Sequence, residues 1–174
     1  MDLTGQFHSE HQQVVDALFQ LRQAITARDI QRVQNILAGA EGPVGLHFKF
    51  EELYLYPALD PFFGEAYGKQ VLTEDDGAFR SIRKIAELAQ KTEWNDADHA
   101  SALANLELIY EHPISCDGLS LWIERRPTED QEDLFQKRLA VRKQGTKLFE
   151  YYHERQPAQA STFIDTCRHL DSAG

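Results

Sequence analysis

Cysteine, proline and glycine are scarce in this sequence, and long hydrophobic runs are missing. Among 174 residues there are 2 cysteines, 6 prolines and 10 glycines. Cys116 and Cys167 are too few and too far apart for a disulfide framework or a thiolate zinc site. No apolar run reaches the roughly 18 residues of a membrane-spanning helix, and the start, MDLTGQFHSEHQQ, lacks the features of an export signal. We therefore expect a cytoplasmic protein that does not associate with membranes.

Basic residues are outnumbered by acidic ones. The 18 lysines and arginines face 28 aspartates and glutamates, so the formal net charge is −10. Such a surface repels phosphate groups, and we expect no nucleic-acid partner. Hydrophobic residues make up 42% of the chain, which is enough for a packed core. The length favours a single domain over residues 1–174.

Hydrophobic residues recur at helical spacing, whereas the alternation typical of strands is almost absent. Thr4 is the predicted N-cap of the first helix and Asp29 that of the second. Gly42-Pro43 predicts a kink or break within the second helix, and Pro57 and Pro61 are expected to end it. The apolar face of the first helix consists of Phe7, His11, Val14, Leu18, Leu21 and Ile25.

Three more long helical segments follow. Asn95 or Asp96 is the expected cap of the fourth helix, Pro113 should disturb its middle, and Thr128 with Gln131 predicts a capping box for the fifth. A short helix, STFIDTCRHL, is expected near the end. The pattern predicts an all-α protein, an up-down-up-down four-helix bundle over about 4–125 with an additional C-terminal helix. The third, fourth and fifth helices are expected over about 72–91, 97–124 and 128–155.

Histidines and acids interrupt these apolar faces. A buried unpaired charge costs several kcal/mol, so such groups must satisfy one another or share a cation. Imidazoles and carboxylates suit iron or manganese, and helical bundles hold di-metal centres with these ligands. The interrupting residues are His11 on the first helix, His47 and Glu51 on the second, Asp75 on the third, and His112, Cys116 and Asp117 on the fourth.

The segment HFKFEELYLYP resembles the H-F-x-x-E-E-x-x-L-[YF]-P motif of hemerythrin-like (HHE) domains. The matching residues are His47, Phe48, Glu51, Glu52, Leu55, Tyr56 and Pro57. Glu10-His11 resembles the first-helix histidine of the family, and His112 with Asp117 resembles its H-x-x-x-x-D motif. The resemblance covers about residues 7–124. It implies a non-haem di-iron centre in which His11, His47 and His112 are terminal ligands and Glu51 and Asp117 are bridging carboxylates.

The resemblance also implies a function. Centres of this family bind dioxygen, react with peroxide or nitric oxide, or sense iron and oxygen. We therefore expect a small-molecule partner such as O2 or peroxide, not turnover of a large organic substrate. Whether the protein is an enzyme stays open; its activity would be di-iron oxygen or peroxide chemistry.

The sequence departs from the family pattern at several places. The third helix has no histidine, and Asp75 or Asp76 stands at the matching position. Cys116 replaces the usual glutamate and is interpreted as a small buried residue. His8 is an alternative ligand, and Tyr54 is placed to hydrogen-bond a metal-bound ligand. The predicted metal ligands are His11, His47, Glu51, Asp75, His112 and Asp117.

These departures support a second hypothesis. A degenerate bundle that has lost its metal would act as a protein-interaction module. The long C-terminal helix would then be its docking or oligomerisation surface.

Overall fold

A computed structural model describes residues 2–155, and all regular secondary structure in that range is helical. The predicted all-α class and the bundle with an added C-terminal helix are confirmed. The predicted STFIDTCRHL helix lies outside the described residues. The elements are α1 (Leu3–Thr26), α2 (Ile30–Phe50), a π-helical turn (Glu51–Leu55), α3 (Tyr56–Phe63), α4 (Glu65–Leu88), α5 (Asp96–Glu107), α6 (Glu111–Asp117), α7 (Ser120–Ile123), α8 (Thr128–Gln144) and α9 (Leu148–Glu154).

The helices pack around a core that is divided into two apolar clusters. Helix α1 contacts α2 and α5, and α4 contacts α3 and α5. One cluster contains Leu18, Phe79 and Ile109, and the other contains Phe7 and Val71. Along three chain segments a polar residue stands between members of the two clusters. The core therefore has a polar layer, formed by His11 in α1, Asp75 in α4 and His112 in α6.

Two predicted helix caps are confirmed and two were wrong. Asp29 caps α2, and Asn95 caps α5 as part of a capping box. The cap of α1 is Asp2 and not Thr4, because the Asp2 carboxylate accepts the first-turn backbone hydrogen bond. Thr128 forms no capping box, since α8 already begins at that residue and has no side-chain cap.

The prolines interrupt the chain less than the sequence suggested. Helix α2 runs through Pro43 without a break. Pro57 and Pro61 do not end the second helical stretch. Pro57 lies in the first turn of α3, where the missing N–H costs little, and the helix continues to Gly64. Pro113 does lie in a disturbed segment, since α5, α6 and α7 replace one fourth helix.

The third and fifth helices have different bounds from those expected. Helix α4 begins at Glu65, seven residues before the predicted start near Leu72. The aromatic-rich segment DPFFGEAYG, residues 60–68, is helical except at Gly64, where α3 ends. The fifth helix is divided into α8 and α9. Gly145, with φ of +68°, ends α8 in the left-handed conformation that glycine adopts readily. No helix in the described residues is long and apolar enough to cross a membrane.

The C-terminal helices pack on the bundle. Helix α9 contacts α2, and α8 contacts both α1 and α2. At Gly45 the backbone of α9 lies so close that a Cβ atom would be 2.4 Å from the Leu148 nitrogen. Arg138 of α8 is buried, and its guanidinium donates to Glu10 of α1. The added helices thus form part of the folded unit.

Candidate metal centre

Five buried polar side chains from five elements of the fold meet in the core. They are at most 3% exposed, and α1, α2, the π-helical turn, α4 and α6 supply one each. Every one is a residue that the sequence analysis predicted as a metal ligand. They are His11, His47, Glu51, Asp75 and His112.

The three histidines are oriented in the same way. Nδ1 of His47 is 3.3 Å from a Glu10 oxygen, and Nδ1 of His112 is 3.0 Å from an Asp75 oxygen. Nδ1 of His11 is 3.2 Å from the Phe7 carbonyl oxygen. An acceptor at Nδ1 favours the tautomer with its proton there. In the neutral ring the lone pair of Nε2 is then available to a metal.

The three Nε2 atoms surround the carboxylate of Glu51. Oε1 is 3.2 Å from His47 Nε2 and 3.7 Å from His11 Nε2. Oε2 is 3.7 Å from His112 Nε2. Within the described residues, neither the three Nε2 atoms nor Glu51 Oε1 has a hydrogen-bond partner. Each such buried atom costs about 1–3 kcal/mol, which a cation between them would offset. The donor atoms therefore fit a metal ion.

The pKa values in the cluster reflect burial and the charge of Glu51. Burial lowers the pKa of His11 to about 4. Burial also acts to lower the pKa of His47, but Glu51 and Glu10 outweigh it and raise that pKa to about 10. Burial raises and His47 lowers the pKa of Glu51, and the net direction is downward. A metal ion bound by His47 thus has to displace a proton.

Tyr56 reaches the centre because of the π-helical turn. Its hydroxyl is 3.3 Å from Glu51 Oε2 and 3.4 Å from Asp75 Oδ1. Residues five apart point in different directions on an α-helix but share a face on a π-helix. Tyr54, which the sequence analysis placed here, lies with its ring near the Lys137 ammonium, 5.6 Å from the ring centroid. Tyr56 therefore stands beside Glu51, where the sequence analysis expected Tyr54.

The structure distinguishes Asp75 from Asp76. Asp75 is fully buried, with Oδ1 beside His112 and Oδ2 without a hydrogen-bond partner in residues 2–155. Asp76 forms an ion pair with Arg155, which also binds Glu52. Asp75 therefore occupies the third-helix position of the centre, while Asp76 joins an ion-pair cluster that links α4 to the segment after α9.

Asp117 and His8 lie at the rim and not in the cluster. The Asp117 side chain is 34% exposed, and its Oδ1 is 2.9 Å from His8 Nδ1. The same oxygen is 3.5 Å from His11 Nδ1, the nitrogen that points away from Glu51. Asp117 thus contacts a candidate ligand, His11, at Nδ1 and not at the Nε2 atom that faces Glu51. Its direct ligation of a metal stays a prediction.

Sequence reasoning gave Glu10 no role of its own and interpreted Cys116 only as a small buried residue. Glu10 holds His47, and it is held in turn by Arg138 and Arg142, more than a hundred residues away. No local pattern signals such a contact. Cys116 follows His112 by four residues, a spacing that places both on one helix face. That spacing was the available signal. Burial raises the pKa of the Cys116 thiol.

One family of known proteins matches most of this chain. The hemerythrin HHE cation-binding domain model matches residues 2–137. The chain belongs to this family. The matched span contains every candidate ligand of this hemerythrin-like protein, and the resemblance inferred from the HFKFEELYLYP segment is confirmed. No curated protein and no solved structure matches the chain. Cation binding is the family's described property, and the buried group of histidines around Glu51 is its candidate site.

Proposed function

We propose that this protein binds iron in the bundle core through His11, His47, His112 and Glu51. One observation carries the proposal. Three imidazole Nε2 atoms and a Glu51 oxygen converge, all buried and all without a hydrogen-bond partner among the described residues. Nitrogen and carboxylate donors without a dominant thiolate suit iron.

The position of Glu51 supports a centre with two ions. Its Oε1 faces His11 and His47, whereas its Oε2 faces His112 and Tyr56. A carboxylate whose two oxygens face different donors is suited to bridging. Asp75, one oxygen of which has no partner in the described part of the chain, is a further ligand on the His112 side. Asp117 is assigned to holding His11 from behind.

The protein's own groups orient and support the ligands. Glu10 and Asp75 accept at the Nδ1 atoms of His47 and His112, which fixes the rings and increases their basicity. Two arginines of α8, Arg138 and Arg142, hold Glu10 in place. Bound iron would supply an open position for a small ligand and a reversible change of oxidation state.

The space beside the cluster supports a small ligand. An interior cavity of about 50 Å³ reaches His47 and His112, and its lining is almost entirely apolar. That volume is of the order of one or two water molecules, so it suits O2, nitric oxide or peroxide. A cleft of about 480 Å³ between α1 and α2 reaches His47 and Glu10 and provides a route for the ion. Binding or sensing of such a molecule is the function we propose.

Iron loading tests the proposal directly. Protein supplied with ferrous iron and then desalted should retain about two irons per chain, with an absorption spectrum of a bridged ferric centre after oxidation. The double variant His47→Ala with Glu51→Ala should retain none while staying helical by circular dichroism. Addition of O2, peroxide or nitric oxide to the ferrous protein should change the spectrum.

A matched control is available on α9. His153→Ala with Glu154→Ala removes the same residue types from exposed positions and should leave the iron content unchanged. A fully folded wild-type protein that retains no iron would overturn the proposal and favour the interaction-module hypothesis. Equal iron in both double variants would refute the assigned ligands.

A further inference from the structure

Cys116 is a buried nucleophilic side chain to which the proposed centre gives no role. The side chain is 1% exposed and lies on α6, on the same helix face as His112. Its sulfur is 3.3 Å from the Tyr56 hydroxyl and 3.6 Å from His112 Nδ1. The sulfur thus borders the polar layer, within reach of the groups that surround Glu51.

Four donors from three segments of the chain lie close together. One ligand atom each of His11, Glu51, His112 and Cys116 lies within 4.8 Å of all the others. Bonds from metals to nitrogen, oxygen and sulfur are about 2.0–2.3 Å, so two opposite ligands of one ion are at most about 4.6 Å apart. Small side-chain movements would therefore bring all four donors onto a single ion.

A second observation points to a ligand at the same place. Glu51 Oε1 and the Nε2 atoms of His11 and His112 are buried and have no partner among residues 2–155. The cysteine therefore lies beside several potential metal-ligand atoms whose lone pairs a shared cation could accept. Ordinary apolar packing accounts for the burial of the sulfur, but it does not account for its position among these groups.

We propose that the Cys116 sulfur is a metal ligand, so that the centre is a mixed thiolate, imidazole and carboxylate site. This inference rests on the proposed function, because it requires the bound ion. When the ion binds, the sulfur–hydrogen bond breaks, a sulfur lone pair forms the metal–sulfur bond, and the proton passes to water. No oxidation state changes in this step.

A thiolate would alter the range of metals that the centre accepts. Sulfur is a softer donor than imidazole or carboxylate and favours zinc and cobalt more than they do. The Tyr56 hydroxyl is in position to donate a hydrogen bond to the thiolate. A hydrogen bond of this kind orients the sulfur and tunes the ion.

Cobalt(II) is the probe for this inference, because a thiolate ligand gives it an intense near-ultraviolet charge-transfer band. The full-length protein should show this band when cobalt is added without oxygen. The Cys116→Ser variant should lose the band while still binding cobalt by elemental analysis, with its affinity reduced at least about tenfold. Cys167→Ser, which removes the other cysteine of the sequence, is the matched control and should retain the band.

A second measurement does not depend on folding of a Cys116 variant. X-ray absorption at the cobalt edge of the Cys167→Ser protein should detect one sulfur at about 2.3 Å from the metal. A wild-type protein that binds cobalt without the band or the sulfur would overturn the inference and leave the proposed function intact. A band that persists in Cys116→Ser would also overturn it. A protein that binds neither cobalt nor iron would overturn both proposals.

Discussion

Glu10 orients one ligand of the candidate centre, His47, from outside the cluster. Its carboxylate accepts from Arg138 at 2.5 Å and from Arg142 at 2.7 Å, and it lies 3.3 Å from His47 Nδ1. Glu10 is not itself a candidate metal ligand. It connects the ligand His47 to the arginines of α8, so a charge far away in sequence determines how an imidazole in the core is turned.

Acid should weaken this connection. Burial acts to raise the pKa of Glu10, but His47 and Arg138 outweigh it and lower the pKa from 4.5 to about 2. A folded-state pKa below the unfolded one gives stability that is present above about pH 4.5 and is lost as the pH falls toward 2. In metal-free protein, Glu10→Gln should reduce the free energy of unfolding at pH 7 by up to about 3 kcal/mol.

Denaturant titrations of wild type and variant between pH 7 and pH 3 measure this effect. The difference between the two free energies should stay constant from pH 7 to about pH 5 and shrink below about pH 4.5. Glu93→Gln, at an exposed position between α4 and α5, should change stability by less than about 0.5 kcal/mol. A Glu10→Gln difference that is independent of pH would contradict the assigned ion pairs.

At the scale of elements, the π-helical turn and Gly45 determine how α2 contributes to the site. The turn at Glu51–Leu55 aligns Tyr56 with Glu51, and such insertions are frequent at functional sites. Gly45 allows the backbone of α9 to lie against α2, one helical turn and a half before Glu51. Both features are properties of helix geometry and not of any ligand.

Two glycines of α2 provide a matched test of this contact. An alanine at position 45 would place its Cβ 2.4 Å from the Leu148 nitrogen and 2.6 Å from the Lys147 carbonyl carbon. Because these atoms are backbone, α9 would have to move, and Gly45→Ala should destabilise the protein by about 1–3 kcal/mol.

Gly39→Ala should have the opposite sign. Apart from the backbone of α2 itself, no atom of residues 2–155 lies within 4 Å of a Cβ built at Gly39. The gain in helix propensity of about 0.5–1 kcal/mol should therefore appear undiminished. Thermal or denaturant unfolding of the two variants decides the matter. Equal stabilities would contradict the close approach of α9.

At the scale of the whole molecule, a polar layer separates two apolar clusters. The clusters supply the driving force for folding, while the layer contains buried polar atoms with no hydrogen-bond partner between residues 2 and 155. The bundle is consequently expected to fold without metal and to gain stability when an ion occupies the layer. The arginine contacts at Glu10 and Glu52 join the C-terminal helices to this layer from two sides.

Metal binding should therefore appear as thermal stabilisation. Ferrous iron at a free concentration of 100 times its Kd should add about 2.7 kcal/mol to the free energy of unfolding, and a chelator should remove it. Melting curves recorded without oxygen measure the shift. The His47→Ala, Glu51→Ala double variant should show none, whereas the α9 control variant should match wild type. An equal shift in all three proteins would mean that the ion binds elsewhere.

Local patterns in the sequence predicted the helical class, the order of the helices and four residues of the candidate centre. His11, His47, Glu51 and His112 could be identified because helical periodicity is local and a polar residue on an apolar face is visible in one segment. The sequence offered Asp75 or Asp76 for the third-helix position, because sequence position alone does not show which of two adjacent carboxylates points into the core.

The remaining features of the candidate centre depend on contacts between distant segments of the chain. The choice of Asp75 over Asp76 depends on Arg155, and the position of Glu10 depends on Arg138, each far away in sequence. Because of the π-helical turn, Tyr56 and not Tyr54 faces Glu51. Asp117 lies at the rim of the cluster beside His8. The physical reason is common to all of these. Local periodicity fixes which residues share a helix face, but packing between distant segments fixes where that face points.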